Sequence, residues 1–379
     1  MLTLSNKKLG FGLMRLPLLN PSDQTSVDIE ATKNMVDLFL SNGFTYFDTA
    51  WMYMGHTSEN VAREALVERY PRDSFTLATK LHPAYFNNIA ERDALFQKQL
   101  QKTGVEYFDF YLLHDVNVST YEQFKKYDCF NWIQEQKKLG KIRHMGFSYH
   151  DNADLLDKVL TEHPEMEFVQ LQINYLDWDS PEIQSRKCYE VAVKHGKPVV
   201  VMEPVKGGSL ANVPDSVKTL FANFDKTKSI ASFAIRFAAS LENVRLVLSG
   251  MTTIEQMQDN LGYMQNFVPL TDEERNLVFT AAKIINGKVT IPCTACNYCT
   301  EGCPENIAIP KYFSIYNADK LECEEKTRWY TPQHQYYLNL TEKFGKPNDC
   351  VQCGQCEEAC PQHLPIREHL KEVAKHFQG

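Results

Sequence analysis

Short runs that are apolar almost throughout recur along the chain, at 9–14, 44–47, 74–80, 108–114, 142–149, 168–173, 198–202 and 244–249. They are rich in β-branched and aromatic residues, as in Phe44-Thr45-Tyr46-Phe47, and read as buried strands. Between them lie longer stretches with apolar residues at helical spacing. The stretch 28–40 carries Ile29, Met35, Val36, Phe39 and Leu40 and is stopped by Asn42-Gly43. The same spacing predicts helices from about 58 to 70, over 91–102, up to Gly140, and over 153–160, 181–195, 230–240 and 254–264. Eight strands, each followed by a helix, predict parallel strands joined by crossover helices. That count within residues 1–285 fits a closed (β/α)8 TIM barrel. A doubly wound sheet that binds a dinucleotide would carry Gly-x-Gly-x-x-Gly after its first strand. No such motif opens this chain.

From Asn286-Gly287 the pattern changes. Of 11 cysteines, only Cys129 and Cys188 precede residue 290. The rest lie between Cys293 and Cys360, which marks 286–379 as a second, smaller domain. The length of 379 residues suits two domains. A net charge of −8 does not favour nucleic acid or an anionic membrane as partner. No run approaches the roughly 20 apolar residues of a membrane span. The start, Met1-Leu2-Thr3-Leu4-Ser5-Asn6-Lys7-Lys8, lacks the order of a signal peptide. A cytoplasmic protein is expected.

In a barrel of this kind the active site gathers at the C-terminal strand ends. The polar residues there are Asp48, Lys80, His114, Ser148, Glu203 and Ser249. Tyr53 follows Asp48 on the loop into the next helix. Asp48 and Tyr53 alone are compatible with a strand-capping carboxylate and a half-buried loop phenol. With Lys80 and His114 they form a proton-transfer set. A buried Lys beside a Tyr favours phenolate and is expected to lower the phenol's pKa from about 10. An Asp keeps that Lys charged, and a His orients a carbonyl oxygen. Such a set suits reversible carbonyl reduction.

The pattern Asp48-Thr49-Ala50-x-x-Tyr53-x-Gly55, then Thr79-Lys80, Leu112-Leu113-His114, Gly146-Phe147-Ser148 and Gln170-x-x-x-Asn174, resembles the aldo-keto reductases over about residues 5–285. The resemblance implies Tyr53 as general acid/base, Asp48 and Lys80 as its tuning pair, and His114 as the group that orients a small carbonyl or alcohol substrate. It also implies a nicotinamide near Ser148, Gln170 and Asn174, a pyrophosphate near Ser249-Gly250, and adenine near Asn260. Two positions depart from the family. Tyr149 stands where an Asn usually holds the carboxamide, and no Lys or Arg occurs between Arg245 and Arg275 to clamp a 2′-phosphate. NADH is therefore expected over NADPH, with Lys206 as the cation that keeps NADPH open. Trp51, Met52, Met54, Tyr85 and Phe86 suggest a partly aromatic pocket, but loop aromatics also serve packing.

In the second domain, Cys293-x-x-Cys296-x-x-Cys299-x-x-x-Cys303-Pro304 and Cys350-x-x-Cys353-x-x-Cys356-x-x-x-Cys360-Pro361 resemble the bacterial ferredoxin run, twice. The resemblance implies two [4Fe–4S] clusters with crossed ligation. Cys293, Cys296, Cys299 and Cys360 would hold one, and Cys350, Cys353, Cys356 and Cys303 the other. Zinc explains a four-cysteine site, but not two matched runs each ending in Cys-Pro. Cys129, Cys188 and Cys323 fit neither run and read as ordinary thiols. Between Cys303 and Cys350 the chain is too long for a compact ferredoxin hairpin. Helical stretches near 310–316, 335–344 and 366–377 resemble the α-helical ferredoxin modules of respiratory-type oxidoreductases.

Nicotinamide passes two electrons as a hydride, whereas a cluster passes one. Coupling them needs a splitter such as a flavin, which nothing in the sequence specifies, or a separate redox partner protein. An electron-transfer or sensor and docking protein with a non-catalytic barrel is the reading from another class.

Overall fold

The computed structural model describes residues 7–378 apart from 182, 288–289, 294, 323–330 and 361. Cys323, Pro361 and residues 1–6 of the N-terminal stretch thus lie outside the described residues. Eight parallel strands close a barrel in chain order. They are β1 (Leu9–Gly12), β2 (Tyr46–Asp48), β3 (Thr76–Leu81), β4 (Phe108–Val116), β5 (Ile142–Tyr149), β6 (Phe168–Gln172), β7 (Val199–Met202) and β8 (Val244–Ser249). β1 closes the sheet, with Gly10 opposite Tyr46 on one side and Leu248 on the other. β5 and β8 coincide with the predicted runs.

Tyr46, Ala78, Phe110, Leu112, Phe168, Val200, Leu246 and Leu248 fill the barrel interior. A larger apolar layer lies between strands and helices, so each strand is buried on both faces. That is why the strands read as continuous apolar runs. Gly146 is required by this filling: a Cβ there would sit 2.5 Å from the Phe168 ring. The helices begin on side-chain caps, with Asp28, Asn88, Asn117, Asn152, Ser229, Thr253 and Thr271 each accepting a backbone N–H of the first turn.

The chain departs from prediction in three places. The helix expected up to residue 70 is broken. Tyr53–His56 is a short turn, with Met54 and Gly55 at positive φ, followed by Ser58–Ala62 and a wide π-turn over Arg63–Val67. The helix expected up to Gly140 is two, Val118–Lys126 and Cys129–Lys138, separated at Asp128 with φ of 53°. Helices Asp215–Asp225 and Asp272–Asn286 add to the eight expected.

The second unit is helical. It contains Tyr298–Glu301, Ile309–Glu322, Pro332–Thr341, Gln355–Glu358 and Ile366–Gln378. Its core gathers Tyr312, Phe313, Tyr337, Ile366, Leu370 and Phe377, with Ile183 from the barrel chain. Ile307 pairs with Gly345 in a parallel bridge. Gly345 must be glycine, because a Cβ there would fall 1.9 Å from the Glu305 carbonyl oxygen.

This unit leans on the C-terminal end of the barrel. Asn339 Nδ2 donates to the His150 carbonyl at 2.6 Å, just past β5. Lys343 lies 3.9 Å from the Asp151 carboxylate. Helix Ile309–Glu322 runs against the turn Lys206–Gly208 that follows β7. Among the described residues, no helix is long and apolar enough to cross a membrane.

Candidate functional site

Asp48 is the last residue of β2, Lys80 lies near the end of β3, and His114 lies on β4. Parallel pairing carries all three to one end of the barrel. Tyr53 reaches the same place from the turn after β2. Lys80 Nζ donates to Asp48 Oδ1 at 2.5 Å, to the Thr49 carbonyl at 2.8 Å and to Tyr53 Oη at 3.2 Å. An ammonium has three hydrogens, so all three are committed. The Tyr53 ring meets the His114 ring edge-on at 5.8 Å. The four expected residues therefore come together.

Burial raises the Tyr53 phenol above its ordinary value, although the Lys80 charge and hydrogen bond oppose it. The expected lowering is thus reversed: desolvation of the phenolate outweighs the ammonium, and Tyr53 stands as a protonated donor. Burial also pulls against the Lys80 charge, but Asp48 and Tyr53 hold its pKa up, so it stays an ammonium. His114 lies well below the usual histidine range, first through burial and then through Lys80, His82 and His150. It is neutral, and its Nδ1 has no partner among the described residues.

A buried network fixes Lys80 from behind. Glu59 accepts from Thr79 Oγ1 and Gln99 Nε2, both at 2.8 Å, and Gln99 also donates to the Lys80 carbonyl at 3.0 Å. Sequence reasoning missed Glu59 and Gln99. It also missed His82, whose ring lies 5.6 Å from that of His114, and Arg15, which pairs with Glu203 at 3.0 Å. Arg15 had a signal: it is a charge just past β1, as Lys80 and Glu203 are charges at strand ends. Trp51 and Tyr85 form a rim with His56, their ring centroids 5.4–6.4 Å apart. Met54 and Phe86 turn into the core instead.

The expected nucleotide contacts divide. Ser148 lies opposite Gln170 across β5 and β6. Ser148 Oγ accepts from the Asp115 N–H at 2.8 Å. Gln170 is buried, and its Oε1 has no partner among the described residues. Asn174 is held in its own loop, donating to Asp177 at 2.8 Å and accepting from the Leu176 and Asp177 N–H groups. Asn260 donates to Ser249 Oγ at 2.9 Å and accepts from the Tyr263 hydroxyl at 2.5 Å, so it positions Ser249. Gly250 lies against Arg15. Tyr149, at the departing position, is buried and donates to the Asn152 carbonyl at 2.5 Å. Lys206 is fully buried and gives both Asp177 oxygens a bond at 2.9 Å. It is not the loose cation that the sequence offered, because a buried ammonium must keep its carboxylate.

The cysteines gather in two groups. Cys293, Cys296, Cys299 and Cys360 line one hollow, and Cys303, Cys350, Cys353 and Cys356 line another. Each hollow is lined by four thiols together with apolar side chains. Ile309 lies between them and lines both. None of the ten described cysteines is in a disulfide. Burial pushes the Cys129 and Cys188 thiols up to about 12, as befits inert core residues.

The barrel and the cysteine-bearing second unit agree with what comparison finds. Residues 8–281 match the model of the aldo/keto reductase family, and the chain belongs to that family. Residues 292–364 match a 4Fe-4S dicluster domain. The chain is similar to a probable aldo-keto reductase of Glycine max, 26% identical over 324 residues, 73% of this chain and 86% of that one. It is also similar to L-galactose dehydrogenase of Arabidopsis thaliana, 22% identical over 252 residues, 62% of this chain and 78% of that one. Among solved structures, the holo form of an aldo-keto reductase from Bacillus halodurans superimposes with a TM-score of 0.57. It is 24% identical, with 73% of this chain and 93% of that chain covered.

Proposed function

We propose that the protein reversibly reduces an aldehyde or ketone to an alcohol, with Tyr53 as proton donor. The observation that carries this reading is the Lys80 ammonium, whose three hydrogens go to Asp48, Thr49 and Tyr53. Because Lys80 donates to Tyr53 Oη, the phenol's own hydrogen is left for another acceptor. Neutral His114 orients the carbonyl oxygen. As that oxygen gains negative charge, Tyr53 gives up its proton and Lys80 stabilises the phenolate left behind. Asp48 keeps Lys80 charged throughout. A nicotinamide, when bound, would supply the hydride, and Gln170, whose Oε1 has no partner among the described residues, would hold it with Ser148 and the Ser249-Gly250 turn. With Lys206 committed to Asp177, NADH is preferred over NADPH. Measured Kd values check this, and NADPH binding tighter by about tenfold or more refutes it.

The cysteine hollows are assigned to two [4Fe–4S] clusters, one held by Cys293, Cys296, Cys299 and Cys360, the other by Cys303, Cys350, Cys353 and Cys356. Each cluster passes a single electron. Four converging thiols in each of two hollows, drawn in each case from both runs, support this assignment over zinc. The barrel unit is taken as 1–285 and the cluster-bearing unit as 286–379.

Tyr53→Phe is the test. It is expected to cut carbonyl reduction by about 10²-fold or more while the clusters' visible absorbance stays intact. An unchanged rate refutes the reading and favours a non-catalytic barrel. Anaerobic addition of NADH decides the clusters' part: bleaching places them in the redox path, and no bleaching leaves them a structural role or a separate donor.

A further inference from the structure

Three contacts between the two units converge on one short segment of the barrel mouth. His150 directly follows β5. The Tyr336 ring stands edge-on to the His150 ring, with centroids 6.3 Å apart. Asn339, three residues on, donates to the His150 carbonyl at 2.6 Å. Lys343, a further turn on, faces Asp151. One face of helix Pro332–Thr341 and the residues after it therefore grips this loop. Tyr336 is buried, although it belongs to the second unit. Burial first, then Cys188, Asp177, Asp151 and Asp115, hold its phenol well above the ordinary value, and its ring lies beside the segment that leaves β5.

The polar groups at this rim have unspent capacity. His114 and His150 each bury an Nδ1 without a partner among the described residues. Gln333, one turn before Tyr336, is fully buried and neither end of its amide has a partner there. Burial holds His150 below the usual histidine range, with His82 and Lys80 assisting against Asp115 and Glu203, so it offers a neutral imidazole. The rim's cations are committed, Lys206 to Asp177 and Arg15 to Glu203. The Asp115 and Asp151 carboxylates are likewise held, by Asn117 and by the Val118 and Asn152 N–H groups, so the groups left without partners among the described residues, on His114, His150 and Gln333, are neutral.

We propose that the dicluster unit completes the carbonyl site, with Tyr336 and His150 contacting a hydroxyl group that the substrate carries beyond its carbonyl. The substrate is a neutral hydroxylated aldehyde or ketone. This rests on the carbonyl-reductase reading above. A site built to bond a hydroxyl rejects the analogue that lacks one, and an anionic substrate finds no uncommitted cation there.

The experiment compares glyceraldehyde, propanal and glyoxylate as substrates of the full-length holoprotein, as purified and with Tyr336→Phe. The unaltered protein is expected to prefer glyceraldehyde over propanal in kcat/KM by about tenfold or more. Tyr336→Phe is expected to cut that ratio at least about fivefold, mainly through KM for glyceraldehyde, with propanal turnover within about twofold. Cluster absorbance and nucleotide Kd are expected to stay unchanged. Leu338→Ala, on the exposed side of the same helix, is expected to leave the ratio alone. An unaltered ratio in Tyr336→Phe overturns the inference, as does a preference for glyoxylate. If reduction depends on Tyr53 but not on Tyr336, only this inference fails. If the protein reduces none of the three, or does so equally after Tyr53→Phe, the reading beneath it fails too.

Discussion

At the residue scale, the Asp48–Lys80 pair is where chemistry and stability meet. Both side chains are buried, so neither tolerates loss of the other. Lys80→Met is expected to abolish carbonyl reduction and to destabilise the fold by about 3–5 kcal/mol, because it strands a buried carboxylate. Asp48→Asn added to it is expected to recover part of that stability but no activity, as denaturant unfolding would show. His114 gives a pH dependence. Its folded-state pKa lies below the unfolded value of about 6.5. Below that pH the unfolded chain binds a proton that the folded chain resists, so stability falls as pH drops from about 6.5 toward the folded pKa. In His114→Gln that part of the acid loss is expected to disappear, read as denaturant midpoints at pH 8, 6.5 and 5. Asp48, Lys80 and His114 stood out in the sequence because each is a polar residue at the end of an apolar run, and Tyr53 because it follows Asp48 on the next loop. The residues behind and above them did not. Gln99 acts through a carbonyl 19 positions away, and Asn339 reaches across 189 positions to His150. No local pattern marks such contacts.

At the element scale, strands were easier to read than the segments joining them. A strand buried on both faces has a composition of its own, whereas the turn at Tyr53–His56 depends on left-handed residues, Met54 among them, that no periodicity reveals. Asp215–Asp225 had readable spacing in Val217, Leu220 and Phe221, but a second helix, Ile230–Ala239, lies between it and β8, and a frame of one helix per strand took only that one. Two substitutions test the account of the elements. Gly146→Ala is expected to cost about 1–3 kcal/mol through its clash with Phe168 in the barrel interior. Asn117→Ala removes a reciprocal cap with Thr120 at the start of Val118–Lys126. It is expected to cost about 1 kcal/mol. It would also loosen Asp115, whose carbonyl accepts from Asn117 and Thr120, so glyceraldehyde turnover is expected to fall by more than stability alone explains. Thermal unfolding and initial rates on one preparation check both.

At the scale of the whole molecule, the barrel has a large core of its own, while the second unit's core is built around its cysteines. Removing iron by chelation is therefore expected to open the second unit first and leave the barrel folded. Limited proteolysis would then cut between the barrel and Cys293 in the apoprotein only. Because helix Pro332–Thr341 grips the loop at His150, apoprotein is also expected to lose preference for glyceraldehyde before it loses Tyr53-dependent turnover. Cleavage of holoprotein and apoprotein at equal rates would contradict this division.

The exchange of Cys303 and Cys360 between the two hollows has a further consequence, for biogenesis. On the assignment proposed above, the first hollow cannot receive its full ligand set until Cys360 has been synthesised, whereas the second is complete once Cys356 has been made. Iron insertion into the first hollow must then wait for a thiol 67 positions beyond Cys293 (360 − 293). A chain truncated just before Cys360 would keep all four ligands of the second hollow and lose one of the first, whereas a chain truncated before Cys350 would leave both hollows incomplete. Cys360→Ser, although it lies in the second run, should appear first as a defect in the hollow of the first run.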